Sequence, residues 1–182
     1  MQLPIAFYFT DDARGSCPLE ISKALPPNTG VIFRHYNVPH RISLARKLAK
    51  ICRKNGTPLF VAKTPGLAAS ISATGCHLPE NFIAMVPAIR RRFPQLYISA
   101  ACHSETAVIA ARQMGVDLAF LSPVFATKSH PDAKNLGILQ AAQITHATSL
   151  PIYALGGITP NHFNAVRSAG FAGFGAIGFF ED

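Results

Sequence analysis

The feature that most constrains this chain is a regular alternation of short apolar runs with amphipathic stretches, from one end to the other. Ile5–Thr10, Val31–Tyr36, Leu59–Ala62, Gly75–Leu78, Leu96–Cys102, Leu118–Phe125, Ile152–Leu155 and Phe174–Phe180 read as strands. Pro18–Leu25, Ile42–Lys54, Leu67–Ala73, Phe82–Phe93, a segment from Ser104 to Met114, Leu136–Thr145, and a segment from Pro160 to Ser168 read as helices. Strand, helix and strand in succession imply parallel pairing, with the helix as the crossover. The second helix is the clearest: Ile42, Ala45, Leu48, Ala49 and Cys52 share one face, Arg and Lys residues occupy the other, and Gly56 stops it. Ser104 is placed as an N-cap, Pro160 begins its helix and Gly170 ends it.

Eight strands with intervening helices predict an α/β fold, a (β/α)8 TIM barrel. An open doubly wound sheet is the alternative, weakened because no GxGxxG follows an early strand. At 182 residues the chain is short for a barrel that usually takes about 250 residues, so its loops and helices must be trimmed. No linker or low-complexity stretch divides it, so residues 1–182 read as a single domain. The chain stops two residues past Phe180, which leaves no helix after the eighth strand. Phe179 and Phe180 are then expected to pack against a partner, giving a homodimer, unless the chain continues further.

Composition narrows the function classes. The formal charge is +8, from 17 Lys+Arg against 9 Asp+Glu. Such a balance suits a solvated basic surface or a phosphorylated ligand. The densest basic runs, Arg41–Arg53 and Arg90–Arg92, lie on helical patterns without aromatic platforms, so nucleic acid is not expected as a partner. Cys17, Cys52, Cys76 and Cys102 have neither CxxC nor metal-ligand spacing, and Cys76 and Cys102 read as buried thiols. Pro4, Asp11 and Asp12 interrupt any signal-peptide pattern, and no apolar run is long enough to span a membrane. A cytoplasmic protein with reduced thiols is expected.

The site is legible in the last third. Leu121–His130, Tyr153–Ile158 and Gly173–Gly178 each run from an apolar strand into a turn of small or hydroxyl residues. In a parallel barrel these turns build a phosphate-binding rim at the C-terminal ends of the strands. Backbone amides bind anions without side-chain help, and glycine lets the ligand approach. Gly156, Gly157, Ile177 and Gly178 are therefore candidate phosphate contacts, with Thr127 and Ser129 as hydroxyl donors. Arg34 ends an otherwise apolar strand and is expected to face the rim as an anion contact. Lys63 follows the third strand, where it would hold an anion or, if desolvated, act as a Schiff-base nucleophile. His130, ahead of Pro131, would make a part-time cationic contact. His77 and His103 sit at strand ends and read most simply as histidines hydrogen-bonded within the barrel.

Taken in order, these residues resemble the thiamine phosphate synthase and thiazole tautomerase (TenI-like) family. Phe9-Thr10-Asp11, Phe33-Arg34, Gly75-Cys76-His77-Leu78, Cys102-His103-Ser104-Glu105, Pro123-Val124-Phe125-Ala126-Thr127, and Leu155-Gly156-Gly157-Ile158 with Asn161 carry the likeness. The resemblance implies a (β/α)8 barrel, a site at the C-terminal rim and a small phosphorylated heterocycle as ligand. It implies the joining of a pyrimidine pyrophosphate to a thiazole phosphate with loss of pyrophosphate, assisted by magnesium. The chain departs from the family pattern at several positions. The metal-binding Asn-Asp pair reads Ala62-Lys63, the second-strand Gln and Lys align with Ile32 and Tyr36, and the loop lysine aligns with His130. Glu80 stands near the second metal position, and the serine before the His103 motif is Ala101. The tautomerase histidine is replaced by Pro123, leaving Asp11, Asp12, Lys63, His103 and His130 for proton transfer. No metal ligand is assigned. Arg34, Lys63 and His130 are the residues assigned to chemistry. A non-catalytic barrel that binds a thiazole or thiamine phosphate, and a different phosphate-ligand enzyme using Lys63, remain open beside the synthase.

Overall fold

The strands Ala6–Phe9 (β1), Thr29–Phe33 (β2), Leu59–Ala62 (β3), Gly75–Leu78 (β4), Tyr97–Cys102 (β5), Leu118–Leu121 (β6), Ile152–Ala154 (β7) and Gly173–Ala176 (β8) close into a parallel barrel in chain order. Closure is made by β1 lying parallel to β8, with Ala6 opposite Phe174 and Tyr8 opposite Ala176. The computed structural model describes residues 3–14, 16–127 and 135–181. Between the strands run α1 (Pro18–Ala24), α2 (Arg41–Asn55), α3 (Pro65–Ser70), α4 (Val86–Arg92), α5 (Glu105–Gln113), α6 (Gly137–His146) and α7 (Phe163–Ser168). The barrel expected from the alternation is thus the fold observed.

Alternation along each strand divides the core into two shells. Inward-facing Phe7, Phe9, Ile32, Phe60, Leu118, Phe120 and Tyr153 form one apolar cluster that fills the barrel. Their outward neighbours, such as Tyr8, Val31, Phe33, Val61, Cys76 and Ile98, join the helices in the second. Aromatic rings this large fit because inward positions on adjoining strands are glycine. A Cβ on Gly30 would lie 2.4 Å from the Phe7 ring, and one on Gly175 2.6 Å from the Phe9 ring. Phe7 meets Phe60, Phe120 and Tyr153 edge to face, with ring centroids 5.8, 5.2 and 5.1 Å apart, the geometry that ring quadrupoles favour.

Several elements end sooner than the sequence pattern suggests. β2 stops at Phe33 rather than Tyr36, because Arg34 and His35 leave the ladder to bond Thr10 and the following loop. β6 stops at Leu121 rather than Phe125: Pro123, after a cis Ser122–Pro123 bond, has no amide hydrogen to give a ladder. The fourth helix begins as a 3-10 turn over Glu80–Met85 and becomes α-helical only at Val86, where Pro87 occupies the first turn. The third helix lies earlier than expected, starting at Pro65. Ser104 caps α5 as expected, its hydroxyl accepting from the Ala107 amide at 3.1 Å.

The eighth strand is the largest correction. It ends at Ala176, and Gly178–Phe180 form a 3-10 turn. That turn folds Phe180 back onto Tyr8, centroids 5.9 Å apart, while Phe179 packs on Phe163 and Phe174. The seam of β1 and β8 is therefore covered in part by the chain's own aromatic turn, while Phe179 stays exposed.

Candidate functional site

The rim at the C-terminal ends of the strands is built from short loops held by backbone bonds. The β6 loop is tied to the β7 turn by Val124 N–H to the Leu155 carbonyl (2.9 Å) and Phe125 N–H to the Gly156 carbonyl (3.2 Å). Both turn glycines are left-handed, Gly156 at φ +88° and Gly157 at φ +66°. Gly157 is needed twice over, since a Cβ there would lie 2.2 Å from the Ala126 carbonyl oxygen. His162 stacks on Phe125 with centroids 3.8 Å apart and planes 7° apart, fixing the β7 loop against the β6 loop. The sequence reading missed this stack, because the two residues lie far apart along the chain.

Arg34 sits where its place in the strand predicts. Its backbone N–H and its Nε donate to the Thr10 hydroxyl (2.9 Å) and the Thr10 carbonyl (3.3 Å). Its guanidinium lies over the Phe9 ring at 5.5 Å and pairs with Asp11 at 3.6 Å. Asp11 also reaches Arg14 at 3.9 Å, and Arg14 reaches Glu181 at 3.4 Å. Arg14, not singled out in the sequence, stands over Gly178: a Cβ there would lie 2.9 Å from its Nη1. The β8 turn therefore carries a guanidinium as well as backbone amides. Ile177 and Gly178 are half-buried at that turn. Thr127 ends the described part of the β6 loop; Ser129 and His130 lie outside the described residues.

Lys63 occupies the left-handed region at φ +65°, held by its N–H to the His77 carbonyl at 2.9 Å. Its side chain is exposed and its Nζ lies 4.5 Å above the Tyr36 ring. Exposure removes the desolvation that a Schiff-base nucleophile needs, which counts against that role. Arg41 is locked away from ligands. It donates to the carbonyls of His35 (2.6 Å) and Ala62 (2.9 Å) and to the Thr64 hydroxyl (3.1 Å), so it braces the β2 and β3 loops.

The two strand-end histidines part company. His77 is buried beneath the rim, its Nδ1 3.0 Å from the Ser99 hydroxyl, with Phe9 and Phe120 edge-on to it. Burial, assisted by the Arg34 charge, pushes its pKa down to about 3, so it is neutral and structural. His103 is exposed instead. Its Nδ1 lies 2.8 Å from the Ser122 carbonyl, which can only accept, so Nδ1 carries the proton. His35, which the sequence reading passed over, is buried with Nδ1 2.8 Å from the Thr10 hydroxyl; burial lowers its pKa.

The magnesium implied by the resemblance does not fit these residues. Ala62 is fully buried, its methyl facing the barrel where a ligand oxygen would be needed. Asp11 is engaged by Arg34 and Arg14, and Glu80 accepts the His103 N–H at 2.7 Å. Among the described residues no group of three His, Cys, Asp or Glu side chains could hold a metal ion. Two surface depressions, of about 340 and 450 Å³, lie at the opposite face around Gly56–Pro58, away from this chemistry.

The closed parallel barrel, with left-handed glycines and guanidinium groups at the C-terminal ends of its strands, places the chain among the (β/α)8 barrel proteins. The family described as thiamine monophosphate synthase matches residues 18–178, and the chain belongs to that family. It is 28% identical to the putative thiamine-phosphate synthase 2 of Aquifex aeolicus (strain VF5) over 99% of both chains. It is 31% identical to the thiamine-phosphate synthase of Limosilactobacillus fermentum, over 75% of this chain but 64% of that protein. The chain thus spans under two thirds of the length of that relative and of several others. Among solved structures, thiamine phosphate pyrophosphorylase from Pyrococcus furiosus superposes with a TM-score of 0.84 at 24% identity, covering 96% of this chain and 85% of that one. That likeness speaks for the fold. No helix of the described residues is long and apolar enough to cross a membrane.

Proposed function

We propose that this chain is a thiamine-phosphate-synthase-type transferase of thiamine biosynthesis, acting in the cytoplasm. The observation that carries this reading is the cradle at the β7 and β8 turns, with Arg34 following β2 on the same rim. The thiazole phosphate would lie on the amides of Gly157 and Gly178, with Thr127 beside it. The thiazole nitrogen attacks the exocyclic methylene of the pyrimidine pyrophosphate. A C–N bond forms as the C–O bond breaks, and pyrophosphate leaves with the electron pair. Arg34 stabilises the charge that gathers on that leaving group. The cytoplasmic setting is supported by four free cysteines, three of them buried.

The test is incubation of the protein with both substrates, with and without magnesium, followed by mass detection of thiamine phosphate. Product above the uncatalysed background supports the reading, and none at high protein concentration refutes it. A second reading, a barrel that binds the phosphate ligand without turnover, is favoured by one observation: an inert methyl, Ala62, where the family places a metal ligand. Native mass spectrometry of the same mixture would then show bound thiazole phosphate and no product.

A further inference from the structure

The charges at the rim point to a departure from metal-assisted chemistry, and this inference rests on the synthase reading above. Ala62 and Lys63 stand side by side at the end of β3, the first a buried methyl and the second a cation. Lys63 is not there by accident of a loose loop. Its left-handed backbone is pinned to the β4 end by the bond to His77, a conformation that glycine would adopt more readily. A non-glycine residue held in that region at a ligand rim is a reason to look for function.

The surrounding ion pairs set two arginines against two carboxylates and leave Lys63 outside them. Arg34 and Arg14 share Asp11, at 3.6 and 3.9 Å, and Arg14 takes Glu181 as its second partner. Among the described residues Lys63 has no carboxylate within ion-pair distance; its neighbour is the Tyr36 ring. Arg34 and Lys63 come from adjacent strand ends, β2 and β3; the Lys63 Nζ lies over the Tyr36 ring, and Arg34, Arg41 and Asp12 are among the charges acting on the Tyr36 hydroxyl. A divalent cation brought to this place would meet the Arg34 and Lys63 charges beside the Asp12 carboxylate, whereas a polyanion would meet two complementary cations.

We infer that Lys63 and Arg34 form a metal-free diphosphate site, with the Lys63 ammonium and the Arg34 guanidinium doing for a pyrophosphate group what a divalent ion does elsewhere. The substrate class is a diphosphate ester, whose leaving group is neutralised by fixed cations. Lys63 contacts the phosphate oxygens and takes no proton in the reaction.

The experiment is calorimetric titration of inorganic pyrophosphate into the full chain, once in EDTA and once in magnesium. The expected result is binding in EDTA with a Kd within about threefold of that in magnesium. Lys63→Gln weakens it by about tenfold or more, an amount typical of one lost ion pair to phosphate, and Lys63→Arg restores it. Lys63→Gly separates binding from folding, because glycine suits the left-handed backbone. Its melting temperature is expected to stay level or rise while pyrophosphate binding falls as in Lys63→Gln. Heat only in magnesium, no heat in either buffer, or wild-type binding by Lys63→Gly would each overturn the inference. Product formed only with magnesium would leave the synthase reading standing and sink this one. Pyrophosphate binding in EDTA without any product would do the reverse.

Discussion

Lowering the pH from 7.5 to 5 is expected to weaken this protein by about 2 kcal/mol through His77 alone. The side chain is 3% exposed, bonded to Ser99 Oγ at 3.0 Å and enclosed by Phe9 and Phe120. Its pKa falls from 6.5 in the unfolded chain to about 3 in the fold. Between those values the unfolded chain binds a proton that the folded chain refuses, so stability is present above 6.5 and is lost as pH falls towards 3. At pH 5 the unfolded chain gains RT ln(1 + 10^1.5), roughly 2 kcal/mol. The folded-state value barely enters, since any pKa well below 5 gives the same answer. His35 shifts in the same direction, so the measurement must be made against a variant. His77→Gln keeps a partner for Ser99 and cannot titrate. Urea unfolding at the two pH values is expected to show the wild type losing about 2 kcal/mol more than His77→Gln, or about 4–8 °C in Tm for a chain of this size. Equal losses, or a His77 ring proton resonance that titrates near pH 6.5 in the folded protein, would refute the reasoning.

Two further outcomes are expected. Gly157→Ala places a methyl 2.2 Å from the Ala126 carbonyl at φ +66°. A left-handed alanine and a forced backbone shift together are expected to cost about 2–4 kcal/mol, read by urea unfolding, and to weaken thiazole phosphate binding more than Gly56→Ala, which clashes with nothing. The Cys52, Cys76 and Cys102 thiols are pushed up to about 12 by burial, and Cys17 is exposed. Iodoacetamide at pH 8 is expected to add a single group to the folded protein, at Cys17, and to reach all four thiols in urea. Rapid labelling of Cys76 in the folded state would contradict the barrel burial described above.

How far the site was legible in the chain depended on whether a residue acts through its own type or through its neighbours. The Gly156-Gly157 turn and the amides near Gly178 are local properties, written in strand-then-glycine patterns. So is the place of Arg34 at the end of an apolar strand. Arg14, Glu181 and the Phe125–His162 stack are products of closure, because β1 meets β8 and the β6 loop meets the β7 loop only once the barrel forms. The expectation of a bare β1–β8 seam holds only in part for the same reason: a continuous aromatic run looks like strand until the turn over Gly178–Phe180 lays Phe180 on Tyr8, while Phe179 stays exposed.

By itself, the alternation of apolar and amphipathic stretches determined the order of elements, their parallel pairing and the rim on which the candidate site residues fall. Those follow from side-chain periodicity and glycine freedom, which are short-range. Tertiary structure alone decided which charges are spent and which are spare. Asp11 and Glu80 are consumed by neighbours from other strands, His77 is held neutral by the barrel it helps to fill, and Lys63 remains as a cation at the rim. Charge pairing depends on distances of a few ångströms across a closed sheet, and no spacing along the chain encodes those.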